Sequence, residues 1–313
     1  ALLTFFTLKI MTGSSLYIGR FAPSPSGPLH FGSLVAALAS FLDARANHGK
    51  WLLRMEDIDE PRCITGADQL ILKTLEAHGL TWDGEVIYQS QQHARYQAVV
   101  DKLVAQGMAY YCTCTRKKIK ETGGIYQGTC RHSQHSSEGA AIRLKLDMPV
   151  NQFHDRILGD ITVTDEHALE DTVLKRRDGL FSYNLVVVLD DILQGVTDIM
   201  RGSDLLTTTA THLSLYALLN EAPPRYAHIP VASVAEGRKL SKQNHATALD
   251  NAHAVENLHR ALAFLGLPVP NDLLNESVNG VLQWAIEHWN CDKLPRQREI
   301  IVAATESTYH TTF

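Results

Sequence analysis

Apolar positions along the 313-residue chain fall into alternating strand-like and helix-like stretches. Residues 16–22 read as a short strand. "LVAALASFLDARA" follows a turn and places Leu34, Leu38, Phe41 and Leu42 on one stripe, which predicts a helix to about Ala46 with Ser33 as its cap. "KWLLRMED" reads as a second strand ending in acids. "GADQLILKTLEAHGL" predicts a helix with Leu70, Leu72, Leu75 and Ala77 inward, stopped by Gly79, and 91–106 predicts another. Strand, turn, helix and strand at this spacing imply a βαβ unit on a parallel sheet, hence an α/β fold. From Tyr110 to about Lys175 the texture changes to cysteines, glycines, histidines and short alternating runs such as "AAIRLKL", which reads as an insertion. "YNLVVVLDD" is expected to resume the core as a buried strand. "LLTTTATHLSLYALLN" predicts a helix, "YAHIPVAS" a strand, and 252–290 two more helices.

Composition narrows the class. Apolar residues make up 45% and charged residues 20%, ordinary for a globular protein. No apolar run approaches the ~20 residues that span a bilayer. "ALLTFFTLKI" lacks a basic leader and a cleavage site, so a secretory signal is a poor reading, and Met11 is expected to be the natural start. The net charge of −5 excludes wholesale attraction to nucleic acid, so such a partner would need a local patch; "RKKIK" (116–120) and "KRR" (175–177) are the candidates. Of five cysteines, Cys112, Cys114 and Cys130 cluster, which points to a metal site in a reducing compartment rather than to disulfides. Three thiolates favour zinc, and a closed site needs a fourth ligand, for which His132 and His135 are chemically ordinary candidates. Cys63 and Cys291 are expected to pack, and most of the 15 histidines to lie at the surface or at caps.

"GRFAPSPSGPLHFGS" (19–33) packs three prolines, three glycines and three serines around one histidine, between strand and helix. The prolines stiffen the approach, Gly27 permits the turn, and Gly32 and Ser33 at a helix start offer backbone N–H groups to an anion, with His30 beside them. This is a candidate phosphate cradle. "LLRMEDID" (52–59) gathers Arg54, Glu56, Asp57 and Asp59 at a strand end. "GRKLSKQN" (237–244) is a glycine-led loop whose Lys239 and Lys242 flank Ser241, suited to neutralising charge on a triphosphate.

With "DGLFSYNLVVVLDDILQGVTDIMRGSDLL", these stretches resemble, in order and separation, the class I glutamyl-tRNA synthetases over about residues 17–250. "CTCTRKKI", "GGIYQGTC" and "KLSKQNHA" are similar to their truncated paralogues, the glutamyl-Q tRNA(Asp) synthetases. The first motif ends in Ser33 where the class consensus has histidine, and the second has Leu240 for methionine and ends in Gln243.

The resemblance implies a Rossmann-like catalytic domain split into 16–109 and 176–235. It implies a zinc-binding, acceptor-side insertion at 110–175 and a KLSKQ loop with a helical subdomain at 236–313. Residues 1–15 would be an extension, and no anticodon-binding domain is expected. The implied activity is ATP-dependent conversion of L-glutamate to glutamyl-adenylate without tRNA, then transfer to queuosine in the anticodon of tRNA(Asp). His30 and Lys242 would be catalytic, and ATP would meet His30, Gly32, Ser33, Lys239, Ser241 and Lys242, accompanied by Mg²⁺. Arg20, Phe21, Ala22, Pro23, Ser24, Glu56, Tyr183 and Arg201 would bind glutamate, with Glu56 on the ammonium and Arg20, Arg201 and the Tyr183 hydroxyl at the side-chain end. Cys112, Cys114, Tyr126 and Cys130 would hold one structural Zn²⁺. A cytoplasmic monomer is expected. A shortened synthetase charging ordinary tRNA(Glu), another class I-like nucleotidyltransferase and a non-catalytic RNA-binding paralogue are the alternatives.

Overall fold

A computed structural model describes residues 16–241 and 246–302. In chain order its elements begin with β1 (Ile18–Phe21), α1 (Phe31–Ala46), β2 (Lys50–Met55), α2 (Ala67–Ala77), β3 (Ile87–Tyr88) and α3 (His93–Ala105). A middle stretch follows: β4 (Ala109–Cys112), α4 (Arg116–Glu121), β5 (Ala141–Leu144), β6 (Gln152–Asp155), β7 (Gly159–Thr162), α5 (Glu166–Leu169) and β8 (Val173–Lys175). Then come α6 (Tyr183–Leu193), β9 (Asp198–Gly202), α7 (Thr208–Leu218), β10 (Arg225–Ile229), β11 (Val231–Ala235) and β12 (Arg238–Lys239). The described chain closes with α8 (Ala254–Phe264), α9 (Val278–His288) and β13 (Glu299–Ile301).

β1, β2 and β3 pair in parallel, with Arg20 opposite Leu52. β9 and β10 also pair in parallel, with Arg201 opposite His228. The amide of Thr197 donates to Ile18 O at 2.9 Å, which brings the head of β9 alongside β1. The α/β architecture read from the pattern is therefore present. Leu34, Leu38 and Leu42 of α1 are fully buried, each worth about 1.5–3 kcal/mol. They share one core with Leu258 and Leu262 of α8 and Val281 and Leu282 of α9, and Phe31 meets Phe264 edge-on.

Several local expectations are corrected. "YNLVVVLDD" is helix α6. The Ser182 hydroxyl caps it by accepting from the Leu185 amide at 3.3 Å, and it packs between α3 and α7. A run of apolar residues does not by itself separate a buried helix from a buried strand. The ~1 kcal/mol span of strand preference in Val186–Val188 yields to the cap and to burial around the whole helix. α1 starts two residues before Ser33 because His30 is its cap: Nδ1 accepts from the Gly32 amide at 3.1 Å. In α2 Ile71, not Leu70, faces inward; Leu70 is half exposed. Pro230 divides "YAHIPVAS" into β10 and β11.

The stretch read as an insertion also contributes to the central layer. β6 pairs in parallel with β10, Asp155 opposite Tyr226, giving the sheet order β7-β6-β10-β9. β4, β5 and β8 form a separate antiparallel sheet that carries the cysteine cluster at one end. No helix among the described residues is long and apolar enough to cross a membrane.

Candidate active site

A cavity of about 460 Å³ opens where β1, β2, β9 and β10 end at their carboxyl edges, the usual ligand crevice of an open parallel sheet. Arg20, Phe21, Ala22, Pro23, Ser24, His30, Gly32, Ser33, Glu56, Tyr183, Arg201, Lys239 and Ser241, all singled out from sequence, line it. Lys242 and Gln243 lie outside the described residues, as do residues 1–15.

One end of the cavity is the mouth of α1. Gly27 turns the chain at φ 142°, a backbone conformation that side chains disfavour. A Cβ on Gly32 would stand 3.1 Å from the His30 ring, so glycine keeps that wall thin. Because His30 Nδ1 accepts the Gly32 amide, the neutral ring carries its proton on Nε2. The helix's positive end suits an anion there. Lys239 closes this end from β12 and is ion-paired with Asp204 at 2.6 Å.

The other end is charged and buried. Arg20 makes a two-point contact with Asp191, through Nε and Nη2 at 3.0 Å each. Asp191 also accepts from Arg54 Nη1 at 2.9 Å. Burial opposes its charge, but the two guanidiniums outweigh that and bring its pKa down to about 2. Glu56 is 8% exposed and 3.3 Å from Arg54. Burial dominates there, and its carboxyl titrates above the usual carboxylate range despite Arg54 and Arg20.

Arg201 is 5% exposed, and none of the described carboxylates forms an ion pair with it. Its neighbours are neutral acceptors. Nε donates to His228 Nε2 at 3.0 Å and Nη2 to Thr209 Oγ1 at 2.8 Å, while His212 Nδ1 lies 3.3 Å from both Nη atoms. Burial and the Arg201 charge hold His212 well below the usual imidazole range. His228 falls to about 4, burial first and Arg201 next outweighing Asp155.

Sequence reading missed Asp191, Asp155, His212 and His228. Two acids ending the apolar run "VVVLDD" were an available signal for a buried ion pair. Most of the histidines are expected at the surface or at caps, and His30 is a cap; His78, His212 and His228 are the buried exceptions among the described residues, each with hydrogen-bond partners there.

Away from the cavity, the sulfurs of Cys112, Cys114 and Cys130 lie within 4.8 Å of one another, an arrangement that fits a metal ion. Burial raises the Cys130 pKa, but hydrogen bonds from Thr113 and the neighbouring thiols prevail and lower it to about 6. The Tyr126 hydroxyl is 3.4 Å from Cys112 Sγ and accepts from the Cys130 amide at 3.0 Å. His132 and His135 are exposed and outside the sulfur cluster; His135 Nε2 stops 3.5 Å from the Thr113 hydroxyl.

Residues 18–267 match the catalytic domain of the class I tRNA synthetases (E and Q). The chain belongs to that family. It is 53% identical over 295 residues to the Glutamyl-Q tRNA(Asp) synthetase of Photobacterium profundum, covering 94% of this chain and 95% of that protein. It is 51% identical over 298 residues to the Glutamyl-Q tRNA(Asp) synthetase of Vibrio vulnificus, covering 95% and 97%. The fold superposes on the crystal structure of glutamate-tRNA synthetase from Elizabethkingia anophelis with a TM-score of 0.75 at 23% identity, covering 93% of this chain and 69% of that one.

Proposed function

We infer that this chain activates L-glutamate with ATP to glutamyl-adenylate, without tRNA, and transfers the glutamyl group to queuosine in the anticodon of tRNA(Asp). The observation that carries this reading is Arg201: a buried guanidinium lining the cavity with neutral partners only, while the same cavity is lined by Glu56, a buried carboxylate whose burial outweighs Arg54 and Arg20. Glutamate offers a carboxylate to the one and an ammonium to the other. Its side-chain carboxylate meets Arg201, with the Tyr183 hydroxyl and the free edge of Arg20 beside it, and its ammonium meets Glu56. The α-carboxylate stays free to attack the α-phosphorus of ATP, and pyrophosphate leaves. The substrate supplies the nucleophile, so catalysis is positioning and charge stabilisation. His30, the α1 terminus, Lys239 and Ser241 face the triphosphate; Lys242, outside the described residues, would add its charge by the family resemblance, and Mg²⁺ would accompany ATP and offset phosphate charge. Glutamine is rejected because its amide NH₂ would confront guanidinium donors.

RNA needs a local basic face on a chain of net charge −5. Arg116, Lys117, Lys118 and Lys120 are exposed on α4. Arg177 Nη2 donates to Thr113 O at 2.7 Å, so the second basic run stands beside the first at the cysteine cluster. This supports that face as the place where tRNA phosphates dock. The test is transfer of labelled glutamate to purified tRNA(Asp). Transfer is expected to the queuosine-bearing form and not to the form lacking queuosine; charging of tRNA(Glu) instead would establish the shortened synthetase.

The same reading places one structural Zn²⁺ on Cys112, Cys114, Cys130 and Tyr126. The Tyr126 hydroxyl, 3.4 Å from Cys112 Sγ, supports it. The ion would pin the ends of β4 and its following loop. Tyr126→Phe is expected to weaken zinc retention in metal analysis by at least the ~10–100-fold that loss of an outer-sphere partner costs. Full retention would remove Tyr126 from the ligand set. Free thiols rather than disulfides at all five cysteines fit a cytoplasmic enzyme.

A further inference from the structure

Behind Arg201 stands a group that never reaches the cavity. Asp155 ends β6, and its side chain is fully buried. Its Oδ1 accepts three backbone amides: Ile157 at 3.0 Å, Leu158 at 2.9 Å and His228 at 3.2 Å. Its Oδ2 lies 2.5 Å from His228 Nδ1. A carboxylate only accepts, so Nδ1 must carry the proton. That leaves Nε2 bare, and bare Nε2 is the atom that receives Arg201 Nε–H. On the other flank His212 is set in the opposite tautomer: Nε2–H donates to Asn184 Oδ1 at 2.9 Å, and Nδ1 accepts from the guanidinium. Both imidazoles thus hold Arg201 without cancelling its charge. An aspartate in the place of either ring would hold the guanidinium as well and would neutralise it.

We propose that Asp155 is a positioning residue for carboxylate recognition: by taking the Nδ1 proton of His228 it fixes the tautomer that aims the Arg201 guanidinium into the cavity with its charge intact. This rests on the reading that Arg201 meets a carboxylate of the substrate. Asp155 itself touches no substrate and is not among the residues lining the cavity. It reaches the site through the parallel pairing of β6 with β10, which carries His228.

The decisive variant is Asp155→Asn. Its Oδ1 keeps the three amide bonds, but Nδ2 now donates toward His228 Nδ1. The ring must move its proton to Nε2, where N–H faces N–H of Arg201. Imidazole ¹⁵N NMR is expected to show His228 protonated on Nδ1 in the unaltered protein and on Nε2 in the variant. In ATP–pyrophosphate exchange, KM for glutamate should rise about 100-fold, the cost of a small misplacement of a binding group, with KM for ATP unchanged.

A second variant guards against a folding defect. His228→Ala leaves no ring for Asp155 to orient, so adding Asp155→Asn to it should leave glutamate KM where H228A alone puts it. Equal losses for ATP and glutamate, a further loss in the double variant, or an unshifted His228 proton in D155N would make Asp155 merely structural and overturn the proposal. A silent D155N beside a crippled Arg201→Ala would overturn the proposal while leaving the glutamate reading intact. A silent Arg201→Ala would bring down that reading and the proposal with it.

Discussion

Arg201→Ala is expected to lower kcat/KM for glutamate-dependent pyrophosphate exchange about a thousandfold while the protein stays folded. Removing one partner of a buried, charge-assisted contact costs about 2–5 kcal/mol or more, and ~1.4 kcal/mol is a factor of ten. The fold should tolerate the change because Arg201 anchors no ion pair among the described residues; what it leaves behind are two histidines and a threonine, neutral groups that water can satisfy. Far-ultraviolet circular dichroism and a melting curve check the second half of the expectation. Unchanged exchange kinetics would show that the substrate carboxylate is bound elsewhere in the cavity, with Arg20 the next candidate.

Asp191→Ala should show the converse, a stability loss larger than any single cavity-lining change. Asp191 is 2% exposed and serves Arg20 and Arg54 at once. Arg54 retains Glu56 at 3.3 Å and Asp190 at 3.7 Å, but Arg20 loses its ion-pair partner and becomes an uncompensated buried charge. Breaking such a pair costs about 3–5 kcal/mol, which for a chain of this size lowers Tm by about 10 °C. The acid limb of the stability profile follows from the same residue. Its folded pKa, about 2, lies below the unfolded value near ~3.9, so its contribution is complete above about pH 4 and fades as pH falls toward 2. Asp191→Asn should therefore start from a lower Tm and lose less of it between about pH 4 and pH 2; parallel profiles for the two proteins would show that Asp191 is not what the acid titrates.

How much of this was legible beforehand differs between the two ends of the cavity. The α1 end is written in a few adjacent residues. Pro23, Pro25, Pro28, Gly27 and Gly32 each act on the backbone close to His30 in sequence, so residue order and local sterics suffice to find the cradle. The charged end is assembled over distance. Arg20 meets Asp191 across 171 positions and His228 meets Asp155 across 73, and neither contact exists until α6 is recognised as a helix and β6 as a partner of β10. The pattern pointed the wrong way on both. A β-branched run concealed the helix, and a change of texture at Tyr110 concealed the strand.

The C-terminal segment of the described chain braces the end of the cavity that Lys239 closes. β13 runs parallel to β11, and the Glu299 carboxylate reaches across to accept from the Ser233 hydroxyl at 2.9 Å and the Gly237 amide at 3.2 Å. Val302 N adds a bond to Ser233 O at 2.8 Å. The hairpin that delivers Lys239 is thus braced by residues lying beyond position 267, where the match to the synthetase catalytic domain stops. On the proposed function the two substrates would then be governed by different parts of one polypeptide: the amino acid would answer to the central sheet, while the reach of the lysine toward phosphate would be tuned by a buttress from outside that domain.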